Sequence, residues 1–293
     1  MLETRIVDRI RKLALRGPKS NQIITEIGDD CAVLRPRPNE DLVFTTDFVL
    51  EGRHFTLDTH TPADIGHKAL ARSLSDVAAM GAEPVFCLVS LGVPPALGSS
   101  WITRFYKGLL KLANRFSVTL AGGDLARFEK VIADVMCCGR VRRGKAILRS
   151  GARPGDLIYV TGTLGGPAHA KWSPHLRPEP RIEAGLALRR FRVSSCMDLS
   201  DGLALDLHRL CIESKVSAEL RLPLPLARGA SLDEALHGGE DYELLFTAPP
   251  RTRIPVVIGH VPIACIGVIT FGQSGSLRLD GRPLEPKGFD HFR

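Results

Sequence analysis

The chain is organised around residues 27–55, which read IGDDCAVLRPRPNEDLVFTTDFVLEGRHF. Two short apolar runs, 31–34 and 42–44, flank a Pro-rich turn at 36–39. Apolar runs on either side of a turn are typical of a β-hairpin, so we predict one here.

Bare carboxylates stand at the ends of the two runs. Asp29 and Asp30 precede the first run, and Asp47 follows the second. Because the start of one antiparallel strand lies beside the end of the next, we expect the three acids to meet at one rim of a sheet. Like charges repel there unless a cation lies among them, and hard divalent cations prefer such oxygens. A solvated, acidic hairpin end is the alternative for this group taken alone.

Length and composition indicate a globular protein with room for two domains. The chain has 293 residues, of which 44% are hydrophobic. Its apolar runs are shorter than the ~20 residues of a membrane span, and residues 1–5 are charged, unlike a signal peptide. We therefore expect a cytoplasmic protein without a membrane partner. The seven cysteines are scattered and form no C-x-x-C pair, which predicts that most of them are reduced, buried thiols.

The formal charge of +7 raises the question of nucleic-acid binding. The positive residues are dispersed, and 3 Tyr with 2 Trp are too few for a basic stripe interleaved with aromatic rings. We expect no nucleic-acid partner. A moderate positive excess also suits small anionic substrates.

Periodicity predicts helices and strands in both halves of the chain. The predicted helices are 3–15, 61–80, 101–116, 182–190 and one that follows 203. The predicted strands are 85–93, 118–124, 131–138, 157–160, 216–222, 242–247, 256–259 and 265–269. Residues 171–181 are rich in Pro and charge and predict a loop, and residues 139–155 predict a domain junction. Strands and helices do not alternate strictly, which favours an α+β fold over a Rossmann sheet.

The helix predicted at 61–80 has clear terminal signals. Thr61 can cap it, and Asp64 stands three residues later, as in a capping box. Arg72 and Asp76 are four residues apart and share a helix face. Asp76 falls in the last turn, the unfavourable end of the dipole, so we expect either Arg72 or a cation to compensate it.

Acidic residues recur in one local pattern, in which each lies next to small residues at a junction between predicted elements. The six places are Gly28-Asp29-Asp30, Thr45-Thr46-Asp47, Leu74-Ser75-Asp76, Gly123-Asp124, Asp198-Leu199-Ser200-Asp201-Gly202 and Gly239-Glu240-Asp241. Turns favour Asp with Gly, so each place alone is typical of a turn or cap. Together, in a chain with only 32 carboxylates, they indicate Mg²⁺ held by carboxylates and phosphate oxygens.

A Walker-type loop is the competing phosphate site. Residues 139–146 match G-x-x-x-x-G-K but end in Ala146, where that loop has Ser or Thr. Three Arg lie inside the motif and no clear helix follows, so we do not favour it. Arg149 is the better phosphate candidate, with a solvated surface arginine as the equal alternative. For His54, beside the acids, a structural and a catalytic role both remain open.

Taken in order and spacing, the motifs resemble the thiamine-monophosphate kinase family from about residue 25 to the C-terminus. The matching segments are Gly28–Ala32, Thr45–Asp47, Glu51–Phe55, Lys68–Ala71, Leu74–Pro84, Gly122–Asp124, Thr161–Gly165, Asp198–Leu203, Gly238–Leu244 and Gly288–Phe292. The segment after Gly165 departs from the family because it is short and Pro-rich.

The resemblance implies a fold and an activity. The family belongs to the aminoimidazole-ribonucleotide-synthetase-like superfamily, so a two-domain PurM-like α+β architecture is expected. Residues 1–145 would bind ATP and Mg²⁺ and pair their sheet across a homodimer into a barrel. Residues 146–293 would form an α+β domain that completes the nucleotide and substrate site. The implied reaction is ATP-dependent phosphorylation of thiamine monophosphate to thiamine diphosphate, with several Mg²⁺ ions.

The resemblance also implies site residues, position by position. The metal ligands would be Asp30, Thr45, Thr46, Asp47, Asp76, Asp124, Asp198 and Asp201. The nucleotide contacts would be Tyr106, Gly123, Asp124, Arg149 and Ser200. The substrate contacts would be His54, Glu240 and Phe289.

The implied chemistry needs no general base, because the acceptor phosphate is already mostly ionised near neutral pH. We expect direct in-line transfer without a phosphoenzyme, with positioning and metal ions overcoming the repulsion between two polyanions. Two other classes compete: a selenophosphate-synthetase-like or hydrogenase-maturation enzyme of the same superfamily, and a basic nucleic-acid-binding or structural protein. The second would leave the acid clusters unexplained.

Overall fold

The computed structural model describes residues 9–18, 20–25, 33–169 and 173–289. The chain divides into two units. The first comprises Met1–Val77 and Glu83–Gly144, and the second comprises Ala78–Ala82 and Lys145–Arg293. Helices and strands are mixed in both, which confirms the α+β class.

The first unit combines long strands with two long helices. Residues 9–14 are helical (α1), and a 3₁₀ turn covers Pro95–Leu97. The other elements are β1 (Ile23–Thr25), β2 (Val33–Leu34), β3 (Glu40–Leu50), α2 (Pro62–Ala79), β4 (Glu83–Val93), α3 (Gly98–Arg115), β5 (Thr119–Arg127) and β6 (Ile132–Arg142).

The main sheet of this unit has the order β3-β6-β4-β5. Strand β4 is antiparallel to β6 and parallel to β5. One face lies against α2, where Ser73 Oγ donates to the Val135 carbonyl at 2.7 Å. The other face packs Leu42, Leu88 and Met136 in a cluster with Ile23 and Leu34 and also carries exposed Phe44 and Phe48 on β3; it is called here the open face.

The predicted hairpin is wrong. Strand β2 pairs with β1, with Leu34 opposite Ile23, whereas β3 pairs with β6 along its whole length, from Glu40 to Leu50. The long β3 finds an equally long partner in β6, while the described residues of β2 satisfy their backbone groups against β1 in a separate two-stranded sheet. Asp47 therefore lies inside a strand, not at a rim.

The prediction for α2 is confirmed, including its cap. Asp64 N donates to Thr61 Oγ1 at 3.3 Å, and Thr61 N donates to Asp64 Oδ2 at 3.0 Å. Helices α2 and α3 cross in backbone contact. A Cβ at Gly66 would lie 2.1 Å from the Phe105 carbonyl oxygen, and one at Gly108 would lie 2.0 Å from that of Ala63. Only glycine fits at this crossing.

The second unit is built on a largely antiparallel sheet, with strand order β14-β13-β9-β12-β7-β10-β8 and β11 paired to β12. Its strands are β7 (Leu157–Thr161), β8 (Ser195–Asp198), β9 (Ser217–Leu220), β10 (Leu244–Ala248), β11 (Val257–Ile258), β12 (Val261–Thr270), β13 (Leu277–Leu279) and β14 (Arg282–Pro283). Its helices are α4 (Gly166–His169), α5 (Ser173–Leu176), α6 (Ile182–Leu188), α7 (Leu203–Ser214) and α8 (Leu232–His237).

Two local predictions need correction, and some elements were not predicted. The loop predicted at 171–181 contains α5. Helix α8 was not predicted, although Ser231 and Glu234 form a capping box that marks its start. Strand β5 continues to Arg127, so Gly122, Gly123 and Asp124 lie within it and not at its end. Among the described residues, no helix is both long and apolar enough to cross a membrane.

Candidate functional site

Thr45 and Asp47 lie on the face of β3 that α2 covers, because alternate residues of a strand share a face. Thr45 Oγ1 donates to Asp76 Oδ2 at 2.5 Å. Arg72 donates through Nε to Asp47 Oδ2 at 3.0 Å and through Nη2 to Asp47 Oδ1 at 2.8 Å. Thr45, Asp47 and Asp76, all predicted metal ligands, thus lie together where β3 meets the C-terminal half of α2. Arg72 balances the charge of Asp47.

A polar row crosses the open face of the sheet. Thr46 Oγ1 on β3 donates to Asp134 on β6. Asp134 stands opposite Ser90 on β4, and Ser90 stands opposite Asp124 on β5. The row links Thr46 to Asp124, both predicted metal ligands, through two residues that sequence reasoning missed. The signal for Asp134 was a single acid within an apolar strand.

Tyr106 is buried on α3 and interacts electrostatically with Asp124. Burial raises the pKa of its phenol, and Cys87 and Asp124 raise it further. The ring packs edge to face against Phe105, with centroids 5.4 Å apart. The phenol therefore stays protonated near neutral pH and can donate a hydrogen bond. Gly123, the other residue predicted here to contact the nucleotide, is in β5 and lies opposite Val89 of β4.

His54 is held in a tight turn directly after β3. Its backbone N donates to the Leu50 carbonyl at 2.9 Å, and its Nδ1 accepts from Leu50 N at 3.0 Å. The fully buried Lys68 donates through Nζ to the His54 carbonyl at 2.8 Å. Because a backbone N–H only donates, Nδ1 of the neutral ring is unprotonated and Nε2 carries the proton. His54 is thus a fixed N–H donor.

In the second unit, the segment after β8 is held by a carboxylate that sequence reasoning missed. Ser200 N and Asp201 N donate to Asp206 Oδ2 at 3.0 and 2.9 Å. Arg209 donates to Asp206 Oδ1 at 2.9 Å and also to Asp201. Burial raises the pKa of Asp206 to about 6. The sequence feature that could have identified Asp206 is an acid in the first turn of the helix that follows Asp201-Gly202. Asp198, buried, ends β8.

The acidic loop at 239–242 and Phe289 are joined to this segment. Glu240 N donates to the Ser200 carbonyl and Tyr242 N to the Leu199 carbonyl, both at 2.8 Å. Phe289 N donates to the Asp201 carbonyl at 2.9 Å. Glu240 and Tyr242 adopt φ of +59° and +50°, a conformation that costs about 1–3 kcal/mol for such residues and clusters at functional sites.

Gly165 and residues of the Pro-rich segment that follows it contact the acidic loop and the neighbouring Glu243. Gly165 N donates to Asp241 Oδ1 at 2.9 Å, and His175 Nδ1 lies 2.6 Å from Glu240 Oε2. Arg181 donates to both carboxylate oxygens of buried Glu243, at 2.7 and 2.5 Å. No motif marked His175 or Arg181.

The remaining predictions have different outcomes. Asp30 lies outside the described residues. Arg149 is exposed, and its carbonyl accepts from Ser214 Oγ at 2.9 Å. The described part of the chain contains no group of three or more His, Cys, Asp or Glu side chains placed to hold a metal. The hydroxyl and carboxylate oxygens of Thr45, Asp47 and Asp76 are nevertheless the hard donors that suit Mg²⁺.

Comparison with known proteins first gives the class. Residues 28–141 match the model of AIR synthase related protein, N-terminal domain. The curated thiamine-monophosphate kinase of Escherichia coli (strain K12) is 39% identical over 325 residues, which cover 99% of this chain and 97% of that protein.

Solved structures agree. Thiamine-monophosphate kinase from Stenotrophomonas maltophilia K279a is 35% identical with a TM-score of 0.82, over 94% of this chain and 96% of that one. AaThiL complexed with AMPPCP and TMP is 32% identical with a TM-score of 0.79, over 98% of this chain and 96% of that one. The chain belongs to the thiamine-monophosphate kinase family.

Proposed function

We propose that the protein transfers the γ-phosphoryl group of ATP to the phosphate of thiamine monophosphate, giving thiamine diphosphate and ADP. The observation that carries this proposal is the joining of Ser200, Asp201, Glu240 and Phe289 by backbone hydrogen bonds. These are residues predicted to contact nucleotide, metal and substrate. The relative AaThiL, complexed with AMPPCP and TMP, supports the same pair of substrates.

The proposed metal ligands are the acids and hydroxyls predicted from the sequence. They are Asp30, Thr45, Thr46, Asp47, Asp76, Asp124, Asp198 and Asp201. When bound, Mg²⁺ would neutralise phosphate charge and orient the reacting oxygens. Arg72 and Arg209 donate hydrogen bonds to Asp47 and Asp201, which fixes the direction of these two carboxylates.

The proposed transfer is direct. An ionised oxygen of the acceptor phosphate forms a bond to the γ-phosphorus while the bond from that phosphorus to the β–γ bridging oxygen breaks, and ADP leaves in line. No proton must be removed from the nucleophile. The chain contributes by binding: His54, through its Nε2–H, Glu240 and Phe289 hold the acceptor, and Tyr106, Gly123, Asp124, Arg149 and Ser200 hold the nucleotide.

The open face supports the proposed homodimer. Phe44 and Phe48 are 61% and 51% exposed and lie on the open face of β3, on either side of Thr46. Large exposed rings on one sheet face are typical of an interaction surface. We propose that residues 1–145 form the dimerisation, ATP and Mg²⁺ domain and that residues 146–293 complete the nucleotide and substrate site. The use of ATP favours the cytoplasm.

The test is incubation of the purified protein with ATP, Mg²⁺ and a panel of phosphorylated small molecules, followed by chromatography. We expect one ADP per thiamine diphosphate, formed only with the divalent cation and only from thiamine monophosphate. Absence of thiamine diphosphate would overturn the function. A stoichiometric burst of protein-bound phosphate would overturn direct transfer while leaving the overall reaction intact.

A further inference from the structure

His175 contacts a proposed substrate residue from a segment to which the sequence assigned no site residue. It lies in α5, within the short stretch that follows Gly165. Its Nδ1 is 2.6 Å from Glu240 Oε2, and the two side chains are 27% and 22% exposed. A hydrogen bond this short, to a carboxylate at partial burial, is among the stronger polar contacts in proteins.

The backbone that carries Glu240 is fixed independently of His175. Glu240 N is bonded to the Ser200 carbonyl, and Asp241 accepts from Gly165 N. Glu243, three residues on, is held by Arg181 and by Thr161 Oγ1 at 2.6 Å. His175 is therefore not needed to hold the loop. It acts on the Glu240 carboxylate, whose direction the backbone does not set.

A carboxylate fixed in direction selects a ligand that brings a cation or an N–H donor to a defined place. Thiamine monophosphate carries both a thiazolium cation and an aminopyrimidine. We propose that His175 is a positioning residue that aims the Glu240 carboxylate at the acceptor, so that the segment after Gly165 sets acceptor affinity. This inference rests on the proposed function and deepens it.

The test compares two variants of His175 with a matched control. His175→Leu removes the contact, and His175→Asn keeps an N–H donor near the Nδ1 position. His260→Leu is the control, because His260 is exposed in the same unit. For each, the KM for thiamine monophosphate, the KM for ATP, kcat and the melting temperature are measured.

We expect His175→Leu to raise the KM for thiamine monophosphate about tenfold, the scale of one lost hydrogen bond to a charged group. The KM for ATP should stay within about twofold, since the nucleotide is held by other residues. His175→Asn should recover most of the affinity, and His260→Leu should match the wild type. In a Glu240→Gln background, the effect of His175→Leu should shrink below about twofold, because both changes act on one contact.

The outcomes separate the two proposals. An active wild type whose acceptor KM is unchanged in His175→Leu overturns the positioning role and leaves the proposed function standing. A parallel rise in both KM values with a lowered melting temperature, not recovered by His175→Asn, also overturns it, in favour of a purely structural role. A wild type that forms no thiamine diphosphate overturns the proposed function itself, and the positioning role falls with it.

Discussion

The Arg72 guanidinium and the Asp47 carboxylate form a two-pronged ion pair between α2 and β3, with N–O distances of 3.0 and 2.8 Å. The pair is largely shielded from water, since the Arg72 side chain is 10% exposed and that of Asp47 is 25% exposed. A proposed metal ligand is thus also part of the contact between a helix and a sheet. We therefore expect changes at Asp47 to affect both stability and activity.

Arg72→Met and Asp47→Asn should both destabilise the protein, because each leaves a partly buried charge without its partner. We expect each to lower the free energy of unfolding by about 1–3 kcal/mol, below the range for fully buried pairs. The double variant should lose clearly less than the sum of the two. Urea unfolding measures this, with Arg127→Met, at an exposed position of β5, as the control. Strictly additive losses would show that the pair contributes nothing.

Asp47→Asn and Asp76→Asn should also impair turnover. We expect kcat to fall by ~10² or more in each, the scale of losing one preorganised charge contact. Formation of thiamine diphosphate at saturating ATP and Mg²⁺ is the measurement, made at a temperature where all variants remain folded. Asp58→Asn, at an exposed turn, should turn over normally. Wild-type rates in both site variants would contradict the metal-site proposal.

The open face should control association. Glutamate at Phe44 or Phe48 places a charge in the proposed dimer contact, so Phe44→Glu and Phe48→Glu should sediment as monomers where the wild type sediments as a dimer. Phe271→Glu is the matched control, because Phe271 is 90% exposed but lies in the second unit. A dimer that survives both open-face changes would exclude this face as the interface.

Asp241 should make stability depend on pH. Burial raises the pKa of its carboxyl well above the usual range, against hydrogen bonding from Gly165 and with a further rise from Glu243. The folded state therefore holds this proton more tightly than the unfolded chain does. This contribution is fully present below about pH 4 and is lost as the pH rises toward the folded-state pKa.

Asp241→Asn removes this effect while keeping an acceptor for Gly165 N. Relative to the wild type, the variant should gain in free energy of unfolding as the pH rises from about 4 to 8, as measured by urea titrations at several pH values. Asp233→Asn, at a side chain that is 88% exposed, should track the wild type throughout. A constant difference between Asp241→Asn and wild type would contradict the raised pKa.

Substitutions at Gly155 and Gly162 can distinguish the cost of backbone strain from the cost of a steric clash. Both adopt positive φ, +61° at Gly162 and +93° at Gly155. A Cβ at Gly162 would lie 1.9 Å from Glu243 Oε1, whereas one at Gly155 would meet nothing within 4 Å. Gly155→Ala should cost about 1–2 kcal/mol from backbone strain alone, and Gly162→Ala clearly more, because it also displaces the carboxylate that Arg181 holds. Equal losses in urea unfolding would mean that Glu243 moves aside freely.

Local signals in the sequence predicted local structure well. Thr61 and Asp64 marked the start of α2 because a capping box is complete within four residues. Strand partners were harder, since β3 pairs with β6, about ninety residues away along the chain, and no local signal marks such a partner. The same limit applies to the site: Asp206 holds a loop five residues away and carried a readable signal, whereas His175 and Glu240 are 65 positions apart and only the fold brings them together.

The helix crossing at Gly66 and Gly108 also matters for Tyr106, which is not a chain neighbour of either glycine. Tyr106 lies two positions before Gly108 on α3, next to the point where the α2 and α3 backbones meet. A methyl group at position 108 would push α3 away from α2, and the Tyr106 phenol would move with the helix. If Tyr106 contacts the nucleotide as proposed, the missing side chain at position 108 is a requirement for that contact.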